Sequence, residues 1–222
     1  MQGKLIVIDG GDGAGKKTQT QLLVTRLKNE GHAVETLEFP QYGSNHFGQL
    51  IKECLEGQHG DFLGLDPKIA STLYAADRFE SKDKLEGWLT EGKVVVVDRY
   101  VSSNMLHQGG KIADGTERKA FLTWLDTVEH EVFGVPRPDV IIYCAVDPKK
   151  RMEMLKAEEA ETAVATDVAE NDLVHQEQTD LAAEQIIAEL NHWQRIECMA
   201  GGEMRSREEI HEDVYAAVKH IL

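Results

Sequence analysis

With 222 residues the chain fits one α/β domain of ordinary size, and an apolar share of 41% is enough to fill a core. A formal net charge of -15 argues against a protein that grips a nucleic-acid polymer through counterion release, which needs a basic face. No run is long and apolar enough to span a bilayer, and Met1-Gln2-Gly3-Lys4 leads into a strand without an apolar leader, so a soluble cytoplasmic protein is expected.

The first predicted unit is a strand, Lys4 to Asp9, followed by Gly10-Gly11-Asp12-Gly13-Ala14-Gly15-Lys16-Lys17-Thr18 and a helix from Lys16 to about Glu30, stopped by Gly31. Backbone N–H groups converging at a helix N-terminus are well suited to a phosphate chain, and glycines let the loop curl that closely. The spacing Gly10-x-x-x-x-Gly15-Lys16 is the Walker A pattern, in which the lysine reaches the β- and γ-phosphates and the next residue carries a hydroxyl to magnesium. Here that next residue is Lys17. A nucleoside triphosphate site over Gly10 to Thr18 is expected.

A second strand, Ala33 to Glu38, ends in the turn-forming run Phe39-Pro40-Gln41-Tyr42-Gly43, where strand ends of parallel sheets present ligand contacts. Helices are predicted over Phe47 to Glu56, Pro67 to Glu80 and Lys82 to Glu91, with Gly57 to Gly64 as loop. The β-branched run Val94 to Val97 reads as a strand buried on both faces and closes in Asp98-Arg99-Tyr100-Val101-Ser102-Ser103-Asn104, with a loop holding Gln108-Gly109-Gly110 after it. An amphipathic helix from about Glu117 to Val132 and a strand Val140 to Val146 follow. Cys144 within that strand reads as a small buried hydrophobe, and Cys54, Cys144 and Cys198 lack the spacing of a disulfide framework or zinc site.

A helix opens at Asp147-Pro148 and runs to about Leu155. Residues 157 to 190 carry ten Asp or Glu and no Lys or Arg, beginning with a low-complexity run to Glu170; this is either a solvated acidic loop or a lid over the nucleotide. Helix resumes near Asp172 to Leu190, a fifth strand is placed at Arg195 to Met199, and Gly201-Gly202 turns into a last helix with Ser206 and Glu209 as a capping box. Strands alternating with helices imply a P-loop α/β fold. Its sheet is doubly wound, parallel and five-stranded, in a single domain over 1–222 with a lid near 148–175.

With the phosphate loop, Asp98-Arg99-Tyr100 ending a valine strand, Tyr74-x-x-x-Arg78 on an intervening helix, and Ser103 and Gln108-Gly109-Gly110 downstream, nearly the whole chain resembles the thymidylate kinases. The resemblance implies transfer of the ATP γ-phosphoryl to dTMP with Mg2+, commonly in a homodimer. It implies that the Gly10 to Gly15 amides and Lys16 hold the ATP phosphates, beside Lys17 and Thr18, and that Arg99 grips the acceptor phosphate with its bidentate fork. Tyr74 would stack on thymine while Arg78, four residues on, donates to a base carbonyl, with Ser103 and Gln108 along the base edge and Phe39 and Tyr42 in the substrate site. Asp12 would receive the sugar 3′-hydroxyl and Asp98 would orient magnesium or its waters. The plainer alternative for Tyr74 and Arg78 is a buried aromatic beside an ion pair to Asp77 or Glu80.

Three departures stand out. Lys17 replaces the magnesium hydroxyl, Tyr42 preceded by Gln41 stands where some relatives carry a phosphate-binding arginine, and neither Gly13 nor the acidic stretch supplies a catalytic arginine. A phosphoryl transition state rewards a cation aimed at its equatorial oxygens, so Lys17, with Lys156 and Arg151 as other candidates, is expected to fill that role. Two other functions fit the same residues: a deoxynucleoside kinase acting on a 5′-hydroxyl with Asp9 as base, and a non-catalytic nucleotide-binding sensor.

Overall fold

Leu5 to Ile8 and Val94 to Val97 are almost wholly removed from solvent on both faces, as are Ile141 and Ile142. Runs of β-branched residues buried on both sides can only be the central strands of a sheet covered by helices on each face. The computed structural model describes residues 3–162, 173–190 and 192–222. In chain order these are β1 (Lys4–Asp9), α1 (Lys16–Asn29), β2 (Val34–Glu38), α2 (His46–Leu55), α3 (Pro67–Glu80), α4 (Lys82–Thr90), β3 (Val94–Asp98), α5 (Val101–Gly110) and α6 (Gly115–Asp126). A π-helical segment (Thr127–Val132), β4 (Val140–Ala145), α7 (Pro148–Thr162) and α8 (Leu173–Glu189) follow, then β5 (Trp193–Glu197), a small hairpin of β6 (Met199–Ala200) and β7 (Glu203–Met204), and α9 (Arg207–Val218).

The five-stranded sheet has the order β2-β3-β1-β4-β5 and every pairing in it is parallel. Side chains alternate between two cores, as the period of two demands. Leu5, Val7, Val95, Val97 and Ile141 pack with Leu106, Phe121 and Ile186 from α5, α6 and α8. On the opposite face Ile6, Ile8, Val94, Val96 and Ile142 meet Leu23 and Leu27 of α1 and Val214 and Val218 of α9. Because β3 and β4 flank β1 on opposite sides, the carboxyl ends of these strands open the crevice in which such sheets bind ligands.

Several expectations need correction. Gln108-Gly109-Gly110 belongs to α5 rather than a loop. A Cβ on Gly110 would come within 3.1 Å of the Gln178 backbone on α8, so this glycine serves close helix contact, and packing overrides its poor helix propensity. The helix expected to run unbroken to Val132 changes to π-helical winding at Thr127, and the helix after Pro148 continues to Thr162. The fifth strand lies two residues earlier than expected, and Gly201 and Gly202 turn a hairpin. Ser206 and Glu209 do form the capping box, with Glu209 N 3.2 Å from Ser206 Oγ. Of the expected lid, residues 163–172 lie outside the described residues.

Candidate active site

The phosphate loop starts where β1 ends. Asp9, fully buried, accepts from Gly10 N at 2.8 Å and from the hydroxyls of Ser102 and Ser103, the latter at 2.9 Å, so the start of α5 is tied to the start of the loop. Gly10, Gly13 and Gly15 have φ of 148°, 79° and 81°, backbone that a side chain would strain. Lys16, on the first turn of α1, is buried; its Nζ donates to the Gly11 carbonyl at 2.8 Å and lies 3.9 Å from the Asp12 carboxylate. Burial, and then the neighbouring Arg99, lower its pKa, while Asp12, Asp98 and Asp9 oppose them. An ammonium resting on a single carbonyl in such a pocket has much to gain from a phosphate dianion.

The loop forms one end of a cleft of about 1030 Å³. Asp12, Gly13, Gly15, Lys16, Lys17 and Thr18 line that end; Phe39 and Tyr42 after β2, Tyr74 and Arg78 on α3, Asp98 and Arg99 after β3, and Ser103 and Gln108 on α5 line the rest. The fold therefore gathers residues spread over nearly a hundred positions. Gly10, Gly11 and Ala14 shape the loop from behind.

Arg99 is the one non-glycine residue with positive φ, 62°, among those described. Left-handed backbone costs a side chain roughly 1 to 2 kcal/mol, and such strain persists only where surroundings enforce it. Here Arg99 N bonds to the Ile8 carbonyl at 3.0 Å, and the guanidinium pairs with Asp12 and approaches His107 Nε2 at 3.4 Å. Burial works against its charge, but Asp12, Asp9 and Asp98 more than offset that, and its pKa is raised. The result is a permanent cation in the wall of the cleft.

At the far wall Arg78, only 2% exposed, is clamped by Glu129 of the π-helical segment, with Nε 3.0 Å from Oε2 and a second, closer contact. Its Nη1 donates to the Tyr100 carbonyl at 3.3 Å. The expected alternative partners are otherwise engaged: the Asp77 carboxylate accepts from Gln41 N and Glu80 from Phe47 N. Tyr74 is half-buried with its ring 5.9 Å from that of Phe62. Gln108 is buried, and its Oε1 is an acceptor without a partner facing this wall. The wall thus offers a cation, an aromatic face and an orphan acceptor.

A magnesium ion fits this site with one protein carboxylate. Asp98 lines the cleft, no hydrogen bond reaches its carboxylate among the described residues, and burial raises its pKa against the pull of Lys16 and Arg99. No group of three potential ligands occurs among the described residues, which suits a metal held mainly by water and phosphate oxygens. Lys17 is exposed at the cleft wall. Arg151 and Lys156 are not among the residues that line the cleft.

Sequence reasoning missed Asn104, His107, Glu129 and Arg207. Asn104, His107 and Arg207 line the cleft, and Asn104 Nδ2 donates to the Ser71 carbonyl at 3.2 Å. Asn104 and His107 share α5 with Ser103 at helical spacing, a signal available once that stretch is known to be helix.

A glycine loop cradling a buried lysine at the switch point of a parallel sheet defines a P-loop nucleotide-binding α/β protein. The family model described as "Thymidylate kinase" matches residues 8–201, and the chain belongs to the thymidylate kinase family. A thymidylate kinase of Mycobacterium tuberculosis is 35% identical over 142 residues, 64% of this chain and 65% of its own length. A probable thymidylate kinase of Pyrococcus abyssi is 31% identical over 225 residues, spanning 100% of this chain and 98% of its own. The solved thymidylate kinase of Candida albicans shares the fold with a TM-score of 0.75 at 20% identity, covering 99% of this chain and 92% of that one.

Proposed function

We propose that this chain transfers the γ-phosphoryl group of ATP to the 5′-phosphate of dTMP, giving dTDP, with Mg2+. The observation that carries the reading is Arg99, strained into the cleft between the phosphate loop and a wall built from Tyr74, Arg78 and Gln108. A base-bearing monophosphate would meet its phosphate at Arg99 and its ring at that wall. Arg78 donates to a pyrimidine carbonyl, Gln108 Oε1 accepts from the ring N–H, and Tyr74 stacks.

At the donor end the loop amides and Lys16 hold the triphosphate, and Asp98 would orient magnesium or its waters. Magnesium, when bound, neutralises charge on the donor phosphates. Lys17, exposed beside them, supplies positive charge toward the transferring group. The acceptor phosphate is already ionised at neutral pH, so no general base is needed. A 5′-hydroxyl acceptor would need one, and Asp9 is committed to Gly10, Ser102 and Ser103. We read residues 1–222 as one kinase domain with its lid near 148–175. We read the enzyme as a homodimer, as the family resemblance implies. No described helix is long and apolar enough to cross a membrane; we read the enzyme as cytoplasmic.

The test is ADP release from MgATP with dTMP, dUMP, dCMP, dGMP, dAMP and thymidine offered separately. Turnover on dTMP, with weaker dUMP, is expected. Turnover on thymidine alone would make it a nucleoside kinase, and ATP binding with silence on every acceptor would make it a sensor.

A further inference from the structure

The first turn of α7 lies against the back of the phosphate loop. A Cβ on Gly11 would overlap the Arg151 guanidinium, and one on Gly13 would come within 2.8 Å of the Arg151 carbonyl and 3.0 Å of Leu155 Cγ. Gly11 has ordinary φ, so what excludes a side chain there is Arg151 itself. Arg151 is 2% exposed, yet only one of its nitrogens is paired: Nη2 lies 3.0 Å from Asp180 Oδ2, while Nε and Nη1 have no partner. Asp180 also accepts from the Tyr143 hydroxyl at 3.2 Å, and Tyr143 is the register neighbour of Asp9, whose carboxylate holds Gly10 N. A chain of contacts thus runs from Tyr143 on β4 through Asp180 on α8 and Arg151 on α7 to Gly11.

Stability alone does not account for a half-satisfied guanidinium in such a place, because a well-packed apolar side chain serves a core as well or better. The carbonyl of Gly11 receives Lys16 Nζ and, at 3.2 Å, Ala14 N. A shift of Gly11 therefore moves both the phosphate lysine and the turn of the loop.

We propose that Arg151, seated by Asp180, is a positioning residue that fixes the phosphate loop in its triphosphate-binding shape from behind. The inference rests on the phosphate-loop reading of the donor end and on nothing about the acceptor. It gives Arg151 a role without contact to substrate, and it makes the Arg151–Asp180 contact between α7 and α8 the feature that tunes donor affinity.

The experiment measures the affinity of a fluorescent N-methylanthraniloyl-ATP, together with KM for ATP and for dTMP, in Arg151→Met, in Arg151→Met with Asp180→Leu, and in Gly11→Ala with and without Arg151→Ala. Expected is a five- to twentyfold loss of analogue affinity, with KM for dTMP held within twofold. Gly11→Ala should weaken binding when Arg151 is present and add little when it is absent, the non-additivity of a direct contact. The double replacement leaves no unpaired buried charge, so it can be measured if Arg151→Met alone misfolds. Unchanged analogue affinity in the folded variants, equal weakening toward both substrates, or failure of every variant to fold would overturn the proposal. A wild-type protein that binds the analogue but phosphorylates no acceptor would sink the kinase reading and leave this one to be judged on affinity; one that does not bind it would sink both.

Discussion

At the scale of single residues, the proposed reaction assigns its two cationic tasks to Lys17 and Arg99. Lys17 occupies the slot of the magnesium hydroxyl and is exposed at the cleft wall. A cation at the transferring phosphoryl is worth about 10³ to 10⁵ in rate in related chemistry. Lys17→Thr is therefore expected to cut kcat by about 10² to 10³ at saturating magnesium, measured by steady-state ADP release; unchanged or faster turnover would remove Lys17 from this role. Arg99 offers a planar fork that a lysine cannot reproduce. Arg99→Lys should raise KM for dTMP and lower kcat/KM by roughly 10²-fold, about 2.7 kcal/mol, while KM for ATP changes little. Equal losses toward both substrates would instead point to the Asp12 contact and the loop.

Among elements, the π-helical segment decides how the far wall of the cleft is built. Its wider winding brings Glu129, fully buried, to the guanidinium of Arg78 on α3 and within 3.4 Å of Asn104 Nδ2 on α5. Burial opposes the charge of Arg78, and Glu129 overcomes it, so the guanidinium keeps its proton and its pKa is raised. Removing one partner of a buried pair leaves the other uncompensated, at a cost of about 3 to 5 kcal/mol. Glu129→Ala should therefore lower unfolding free energy by about that amount in urea titrations and weaken dTMP more than ATP. A change below about 1 kcal/mol would mean that the pair is solvated in solution.

For the whole molecule, three histidines link stability to pH. His130, His192 and His211 have pKa values lowered, chiefly by burial, with Arg137 adding to the effect on the first two and Arg26 on the third. A histidine harder to protonate when folded lets the unfolded chain bind protons first as pH falls below about 6.5. Stability should then decline from pH 7 toward pH 5. Burial raises the pKa values of Asp77, Asp98 and Asp180, which act in the opposite sense. The ordinary carboxylate value, 3.8, lies farther from pH 6 than the ordinary histidine value, 6.5, and the prediction rests on the histidines. His130→Gln should flatten the fall in Tm between pH 7 and 5.5, and an unaltered slope would assign the dependence to other groups.

The amino-acid sequence by itself determined the three central strands, because apolar runs rich in β-branched residues and bounded by glycine and charge mark buried parallel strands, and it determined the phosphate loop, because glycine spacing and a following lysine are local chemistry. It also placed Phe39 and Tyr42 after β2, and Asp98 and Arg99 after β3, at strand ends that line the cleft. Only tertiary structure decided what each side chain is bound to. Glu129 reaches Arg78 from 51 positions away, while Asp77 and Glu80 next to it in sequence turn elsewhere. Arg151 has the charge expected of a catalytic cation, yet packing places it behind the loop. The double glycine of α5 looks like a break until α8 is laid against it. Periodicity and spacing act along the chain, whereas pairing and close approach are set across it by which surfaces the sheet brings together.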